Sequence, residues 1–513
     1  MIVLPISILS TLLFSIFFIA RQAFLRHKRS KHAKQLNAEK CARSPGGLLG
    51  IRNFLGLKNA HSGGRMPHHF QRLHQQYGAT FNIAALGKEL IFTIEPENIQ
   101  ALLTTQFSEF GLAPSRHDQW FPLFGEGIFT DDGRLWEHSR KMLRPRFTKD
   151  QVPDVDWFDV HSNHFIDALP KDGRPFDIQE LVFRLTLDGA TDLLYGESVD
   201  SLVSPLSNQT GVPEMTINGK KGFAEAFEHS QFVVFQRTFS LGFHWLINPP
   251  GLKKSSAIVH KFLDYFVNKA LDSHKPDAKE EQGRYSYLKA LASYSKDRKA
   301  IRDQMVHVML ASRDDTGSLL ASCFYFLARD KRAWGKLKAE VTQAVQDHDS
   351  TKITIKEIQN LPYLRAVVNE ALRLFPPVPI NARVALKDTT IPVGGGPDGQ
   401  APVYVHQGQT VSYSVWALHR RQDIWGPDAD EFRPERWDEL KPAAWQFLPF
   451  NGGPRACVGQ LFALAQASHL LFRVLERFDV LENARPGPDM GSHPRMHQTL
   501  TMCHEKAVEV RLC

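Results

Sequence analysis

From Ile2 to Ala20 the chain runs nineteen residues without a charge, rich in Ile, Leu and Phe. It then turns basic, with Arg21, Arg26, Lys28, Arg29, Lys31 and Lys34 and no acid among residues 21–34. At about 1.5 Å rise per residue, the apolar run as a helix nearly spans a hydrocarbon core of about 30 Å. Positive flanks stay cytosolic, which places the rest of the chain on that side. A cleaved signal peptide fits less well, because the basic cluster follows the apolar run instead of preceding it. The pattern predicts a transmembrane anchor over 1–20, a basic juxtamembrane segment and hinge over 21–63, and one large globular domain over 64–513.

Along that domain the apolar spacing is mostly helical. Met66 to Gln75 reads as a helix, and so does most of the chain up to about residue 375, broken by polar loops near 204–220 and 273–284. Ala79 to Ile94 alternates as a hairpin turning near Gly87-Lys88. Residues 107–130 read as an apolar, Phe-rich loop. Residues 391–412, broken at Gly394-Gly395-Gly396, read as strands. The expectation is a mainly α protein with a small β part.

The net charge of +7 does not point to nucleic acid. Setting the six basic residues of 21–34 aside leaves the body close to neutral, so the excess is a collar at a membrane surface. Five cysteines with no Cys-x-x-Cys pair argue against zinc ribbons and iron–sulfur loops, and for a reducing compartment. Asn208-Gln209-Thr210 is a glycosylation triplet, silent on a cytosolic face.

The decisive run is Phe450-Asn-Gly-Gly-Pro-Arg-Ala-Cys-Val-Gly459. Cys457 precedes a segment, Val458 to Leu471, with helical spacing. A thiolate there is stabilised by the helix dipole and by free N–H groups. Glycines let the backbone pass close to a flat ligand. Phe450 supplies an aromatic wall and Arg455 a cation for a carboxylate. These are the needs of a haem iron held by one cysteine thiolate. The run resembles the haem-binding loop of cytochromes P-450, Phe-x-x-Gly-x-Arg-x-Cys-x-Gly, at every fixed position.

That resemblance implies the cytochrome P-450 fold on a membrane anchor, haem b bound through Cys457, and further site residues. Trp136 and Arg140 share a helix face and would meet a haem propionate. Arg383 stands at a strand position that often does the same. Glu370 and Arg373 form the family's Glu-x-x-Arg, and Arg436, in Phe432-Arg-Pro-Glu-Arg-Trp437, completes a structural network with them. Over roughly 66–480 the chain is similar to the fungal long-chain alkane and fatty-acid hydroxylases, through Phe110-Gly-Leu112, Leu187 to Ser198, Phe223 to Phe227 and His419 to Gly426. Phe107 to Phe124 would wall an apolar pocket.

Met309 to Leu320 resembles the central helix over the haem face, but departs from the family's Ala-Gly-x-Asp-Thr-Thr. Ser312 replaces the glycine and Asp315 the oxygen-side threonine, while Asp314 and Thr316 match. Thr316 is one residue on, turned by about 100°. Three readings stand: Asp315 relays protons itself; the relay runs through water or a substrate hydroxyl; or the enzyme uses peroxide. A haem isomerase or dehydratase, and a non-catalytic scaffold, are the other classes.

The expected activity is a monooxygenase acting on a hydrophobic, long-chain or polyketide or terpenoid substrate in fungal secondary metabolism. The alternative is terminal hydroxylation of fatty acids or alkanes in primary lipid metabolism. With no dinucleotide Gly-x-Gly-x-x-Gly after a strand, electrons from NADPH must arrive through a separate flavin-containing reductase. The expected location is the endoplasmic reticulum membrane, single-pass.

Overall fold

The computed structural model describes residues 6–147, 155–203, 216–217, 220–272, 287–347, 353–485 and 494–513. Two compact units emerge. The first holds Met1–Asn53, Arg72–Gly111 and Ala382–Tyr413; the second holds Phe54–Gln71, Leu112–Asn381 and Ser414–Cys513.

The first unit is built on strands β1 (Ala42–Ser44), β2 (Thr80–Ala85), β3 (Lys88–Thr93), β4 (Phe110–Gly111), β5 (Ile380–Ala385), β6 (Thr389–Gly395), β7 (Ala401–Val405) and β8 (Thr410–Ser414). One sheet has the order β1-β2-β3-β8-β5-β4, and β6 and β7 form a separate antiparallel pair. β2 and β3 are the expected hairpin, pairing Ala85 with Lys88. Their turn needs two left-handed residues, Leu86 (φ 46) and Gly87 (φ 76). Asn98 is fully buried and pins this unit. Its amide donates to the Thr80 and Thr93 hydroxyls (3.2 and 3.0 Å) and the Val393 carbonyl (2.9 Å), and it accepts from the Val393 N–H (3.0 Å). Asn98→Ala is expected to cost about 2–4 kcal/mol, because buried partners lose their bonds. A lowered thermal midpoint with unchanged secondary structure checks it.

Helix α1 (Ile6–Gln35) starts the chain. It runs unbroken from the apolar stretch through the basic collar, where a boundary near residue 20 was expected. Among the described residues no helix is long and apolar enough to cross a membrane. Residues 1–5, where the expected span begins, lie outside the described residues, as do Asn208-Gln209-Thr210 and most of the two expected polar loops. Within 21–63, where a juxtamembrane segment and hinge were expected, the chain forms β1 and helix α2 (Ile51–Ser62). β1 gains regularity by pairing with β2 in parallel, a partner nearly forty residues away in sequence.

The second unit is helical. Helix α3 (Met66–Tyr77) has residues in both units, and the second unit's helices include α4 (Pro114–Phe124), α5 (Gly133–Leu143), α6 (Ile178–Tyr195), α7 (Phe223–Thr238), α8 (Arg298–Leu310), α9 (Thr316–Leu327), α10 (Pro362–Leu374) and α11 (Gln460–Arg477). Every residue of α9 is buried. It lies at the centre of a core that includes Leu320, Phe324, Leu364, Val368, Leu471 and Val474. The Phe-rich loop expected over 107–130 is in part a helix. A proline at the first position of α4 suits a helix start, where its missing N–H costs no bond. Trp120, Leu123 and Phe124 then fall on one buried face, with Leu123 and Phe124 fully covered. Arg237 of α7 fixes α4 by donating to the Gln119 and Asp118 carbonyls at 2.9 and 2.8 Å.

Candidate active site

Cys457 is held by a closed loop. Its N–H donates to the Phe450 carbonyl at 2.9 Å, so the six residues between are looped out. The fold-back uses left-handed backbone at Asn451 (φ 61) and Gly453 (φ 66). A Cβ on Gly452 would stand 2.4 Å from the Trp445 ring, so only glycine fits there. Three residues on, α11 begins.

The Cys457 side chain lies deep among protein, and burial is the main force pushing its thiol up to about 11. Yet the residue is exposed. The sulfur is thus surrounded by chain yet left uncovered by it. The N–H groups of Gly459 and Gln460 and the charge of Arg140 pull the thiol down, the arrangement a thiolate needs. Asp315 pushes it up, so Asp315 and Cys457 feel each other. Asp315 is also only part-covered.

Beside Cys457 three predicted residues meet. Arg140 Nη1 donates to the Ala456 carbonyl at 2.9 Å. The Arg455 guanidinium lies 4.3 Å from the centre of the Trp136 ring, and donates to the Asp131 carbonyl at 3.1 Å and to the Asp132 carboxylate. Gln304 of α8 donates to Ser139 at 2.9 Å, tying α5, which carries Trp136 and Arg140, to the central helix. Phe450 packs half-buried against the main core. Arg383 is buried on β5 of the first unit, donating to the Ala382 carbonyl at 2.8 Å.

The central helix is not continuous α-helix. Between α8 and α9, Ala311–Asp315 forms a π turn, a form frequent at functional sites. It is braced by Ser312, whose hydroxyl donates to the Val308 carbonyl (2.8 Å), and by Thr186 of α6, which donates to the Arg313 carbonyl (2.8 Å). The two acids point to different partners. Asp314 accepts from Gln231 of α7 at 2.7 Å and from Arg313 at 2.5 Å. Burial still raises its pKa. Asp315 Oδ1 is buried with no hydrogen-bond partner, and burial together with Asp314 pushes its carboxyl up to about 8. Thr316 is buried at the start of α9.

Glu370, Arg373 and Arg436 are fully buried together. Arg373 donates from Nε and Nη2 to the two Glu370 oxygens (2.9 and 2.8 Å), and Arg436 Nε adds a third bond at 2.9 Å. The Arg433 N–H and Trp437 Nε1 complete the set at 2.9 and 3.1 Å. The arginines' remaining N–H groups hold the carbonyls of His419, Ala429, Trp425 and Asp428.

The residues fit a haem. An uncovered sulfur has backbone donors aimed at it, two guanidiniums and an indole cluster beside it, and an unpartnered carboxyl oxygen acts on it electrostatically. The cytochrome P450 family model matches residues 45–508. The chain belongs to the cytochrome P450 family. It is 43% identical over 445 residues to cytochrome P450 52A12 of Debaryomyces hansenii, covering 84% of each chain. It is 39% identical to cytochrome P450 52A13 of the same yeast, over 98% of this chain and 96% of that one. With cytochrome P450 52A10 of Candida maltosa it shares 41% identity, over 98% and 97%. This P450 is therefore a monooxygenase, an oxidoreductase whose family binds haem iron through a cysteine thiolate and takes electrons from a reductase. Its fold is the mainly helical P450 fold.

Two groups in this P450 escaped the sequence. Gln231, which takes up Asp314, is a polar residue among Phe227, Val233, Val234 and Phe235 on a helix with a buried face. Asp131 and Asp132, which hold Arg455, carried no signal. Within the expected aromatic pocket wall, Leu123 and Phe124 are covered by packing, with Phe124 against His307 at 5.2 Å between ring centres, while Phe121 is exposed.

Proposed function

We propose that this P450 hydroxylates long-chain fatty acids or alkanes at or near the chain end, with Cys457 as the iron ligand. The observation that carries this is the near-full-length likeness to the yeast 52A proteins, over the same stretch that resembles alkane and fatty-acid hydroxylases. It favours lipid metabolism over the polyketide or terpenoid tailoring first expected, which rested on the departures in the central helix.

Haem iron on a thiolate supplies activation of dioxygen and insertion of one of its atoms into a C–H bond. The chain's own residues do the rest. The Gly459 and Gln460 N–H groups and Arg140 stabilise negative charge on the Cys457 sulfur. Trp136, Arg140 and Arg455 offer donors to the propionate carboxylates, with Arg383 as a further candidate. Asp315 holds a proton at neutral pH, since its pKa lies near 8. It takes the relay role, and Asp314, engaged by Gln231 and Arg313, keeps the π turn in place. Thr316 packs the start of α9. Glu370, Arg373 and Arg436 fix the loop.

The apolar run before the basic collar supports a single-pass anchor in the endoplasmic reticulum membrane with the body in the cytosol, where a flavin-containing reductase delivers electrons from NADPH. Reconstitution with such a reductase, offered fatty acids, alkanes and polyketides, is expected to give terminal alcohols of the first two. Conversion of polyketides alone would return the tailoring reading. Activity with peroxide and none with reductase would remove Asp315 from the relay.

A further inference from the structure

His419 is fully buried, and it joins two parts of the second unit that sequence keeps apart. Its Nδ1 lies 3.2 Å from the Arg373 carbonyl oxygen, and its Nε2 lies 2.9 Å from the Leu448 amide nitrogen. A carbonyl only accepts and a backbone N–H only donates. Both contacts therefore hold in a single form of the ring, neutral with its proton on Nδ1. Burial, with Arg373 and Arg420 alongside, pushes the imidazole down to about 3 and keeps it neutral. The ring is lodged against Trp425 and Phe447, at 6.0 and 5.1 Å between centres. The His419 carbonyl in turn accepts from Arg373 Nη1 at 2.8 Å.

Leu448 stands where the chain enters the cysteine loop, two residues before Phe450, whose carbonyl receives the Cys457 N–H. A short chain of hydrogen bonds thus runs from Glu370 through Arg373 and His419 to Leu448, and through the loop to Cys457. We propose that His419 is a positioning residue for the Cys457 loop, acting through Nε2 as acceptor for the Leu448 N–H. This rests on Cys457 being the iron ligand. The Glu370 cluster holds His419 from the Nδ1 side, and His419 sets where the loop begins.

Two substitutions divide the ring between them. His419→Gln keeps an acceptor near the ε position and loses the donor to Arg373. His419→Asn keeps a donor near the δ position and loses the acceptor for Leu448. Each protein is expressed full-length, reduced under carbon monoxide, and scored for the fraction of its haem showing the thiolate Soret band. His419→Gln is expected to stay close to wild type. His419→Asn is expected to raise the ratio of non-thiolate to thiolate form about fivefold, the effect of one hydrogen bond. Incorporating the α-hydroxy analogue of leucine at 448 replaces that amide by an ester, removing the donor and leaving every side chain in place. It is expected to match His419→Asn, and it serves if that variant does not fold. A thiolate fraction equal to wild type in the ester protein overturns the proposal, as does equal loss in the Gln and Asn variants. Cys457→His tests the underlying assignment separately: if it keeps the thiolate band, Cys457 is not the ligand.

Discussion

Glu370→Gln is expected to yield little or no folded, haem-loaded protein. One carboxylate accepts five hydrogen bonds: three from Arg373 and Arg436, one from the Arg433 N–H and one from Trp437. Both guanidiniums are essentially inaccessible to water, at 0% and 1% side-chain exposure. The amide removes the carboxylate that Arg373 pairs with, leaves Arg436 only the Asp428 carboxylate at 3.1 Å, and turns one acceptor into a donor facing donors. Breaking a buried pair from one side costs about 3–5 kcal/mol. That rivals the whole margin of a typical domain, about 5–15 kcal/mol. Urea unfolding followed by circular dichroism checks it: a midpoint at the wild-type value would show that the charge is met elsewhere. The cluster is placed to fix geometry, since buried ion pairs add little net stability over an apolar equivalent.

The second large effect is expected at Asp315. Asp315→Ala should lower turnover with reductase about a hundredfold, the scale of losing one positioned acid–base group. Asp315→Thr should retain turnover, restoring a hydroxyl at that position. The carboxyl binds its proton more tightly in the folded chain, with its pKa raised from 3.8 to about 8. Folding therefore takes up a proton between those values. The group's contribution to stability is greatest at low pH and is lost as pH rises from about 4 through about 8. Asp315→Asn should flatten that dependence of the thermal midpoint, and wild-type turnover should fall as pH passes about 8. Product formed per NADPH consumed, across pH 6 to 9, separates the cases. A profile identical in wild type and Asp315→Asn would assign the relay to water or substrate.

Much of the site was legible because its signals are local. The Cys457 loop is a decapeptide in which glycines, arginine and cysteine have fixed spacing. Trp136 and Arg140, or Glu370 and Arg373, need only a helix to share a face. The β2–β3 hairpin announced itself through Gly87. Helix α4 was hidden by its own phenylalanines, whose density masked their helical spacing. The separation of Asp314 from Asp315 could not be read from neighbours in sequence. It depends on Gln231 and Thr186, more than eighty residues away on α7 and α6. The same holds for β1, which is regular only because β2 lies beside it.

The π turn has one more consequence. A π turn holds about one residue more than an α-turn of the same helix, so α8 and α9 need not share a rotational phase. Residues 311–315 behave as an inserted cassette, closed on one side by Ser312 and on the other by Thr186. A substitution inside it can re-aim a side chain while the wholly buried α9 keeps its register against α6 and α10. Such decoupling lets a chain rewrite the threonine position of its family without repacking its core.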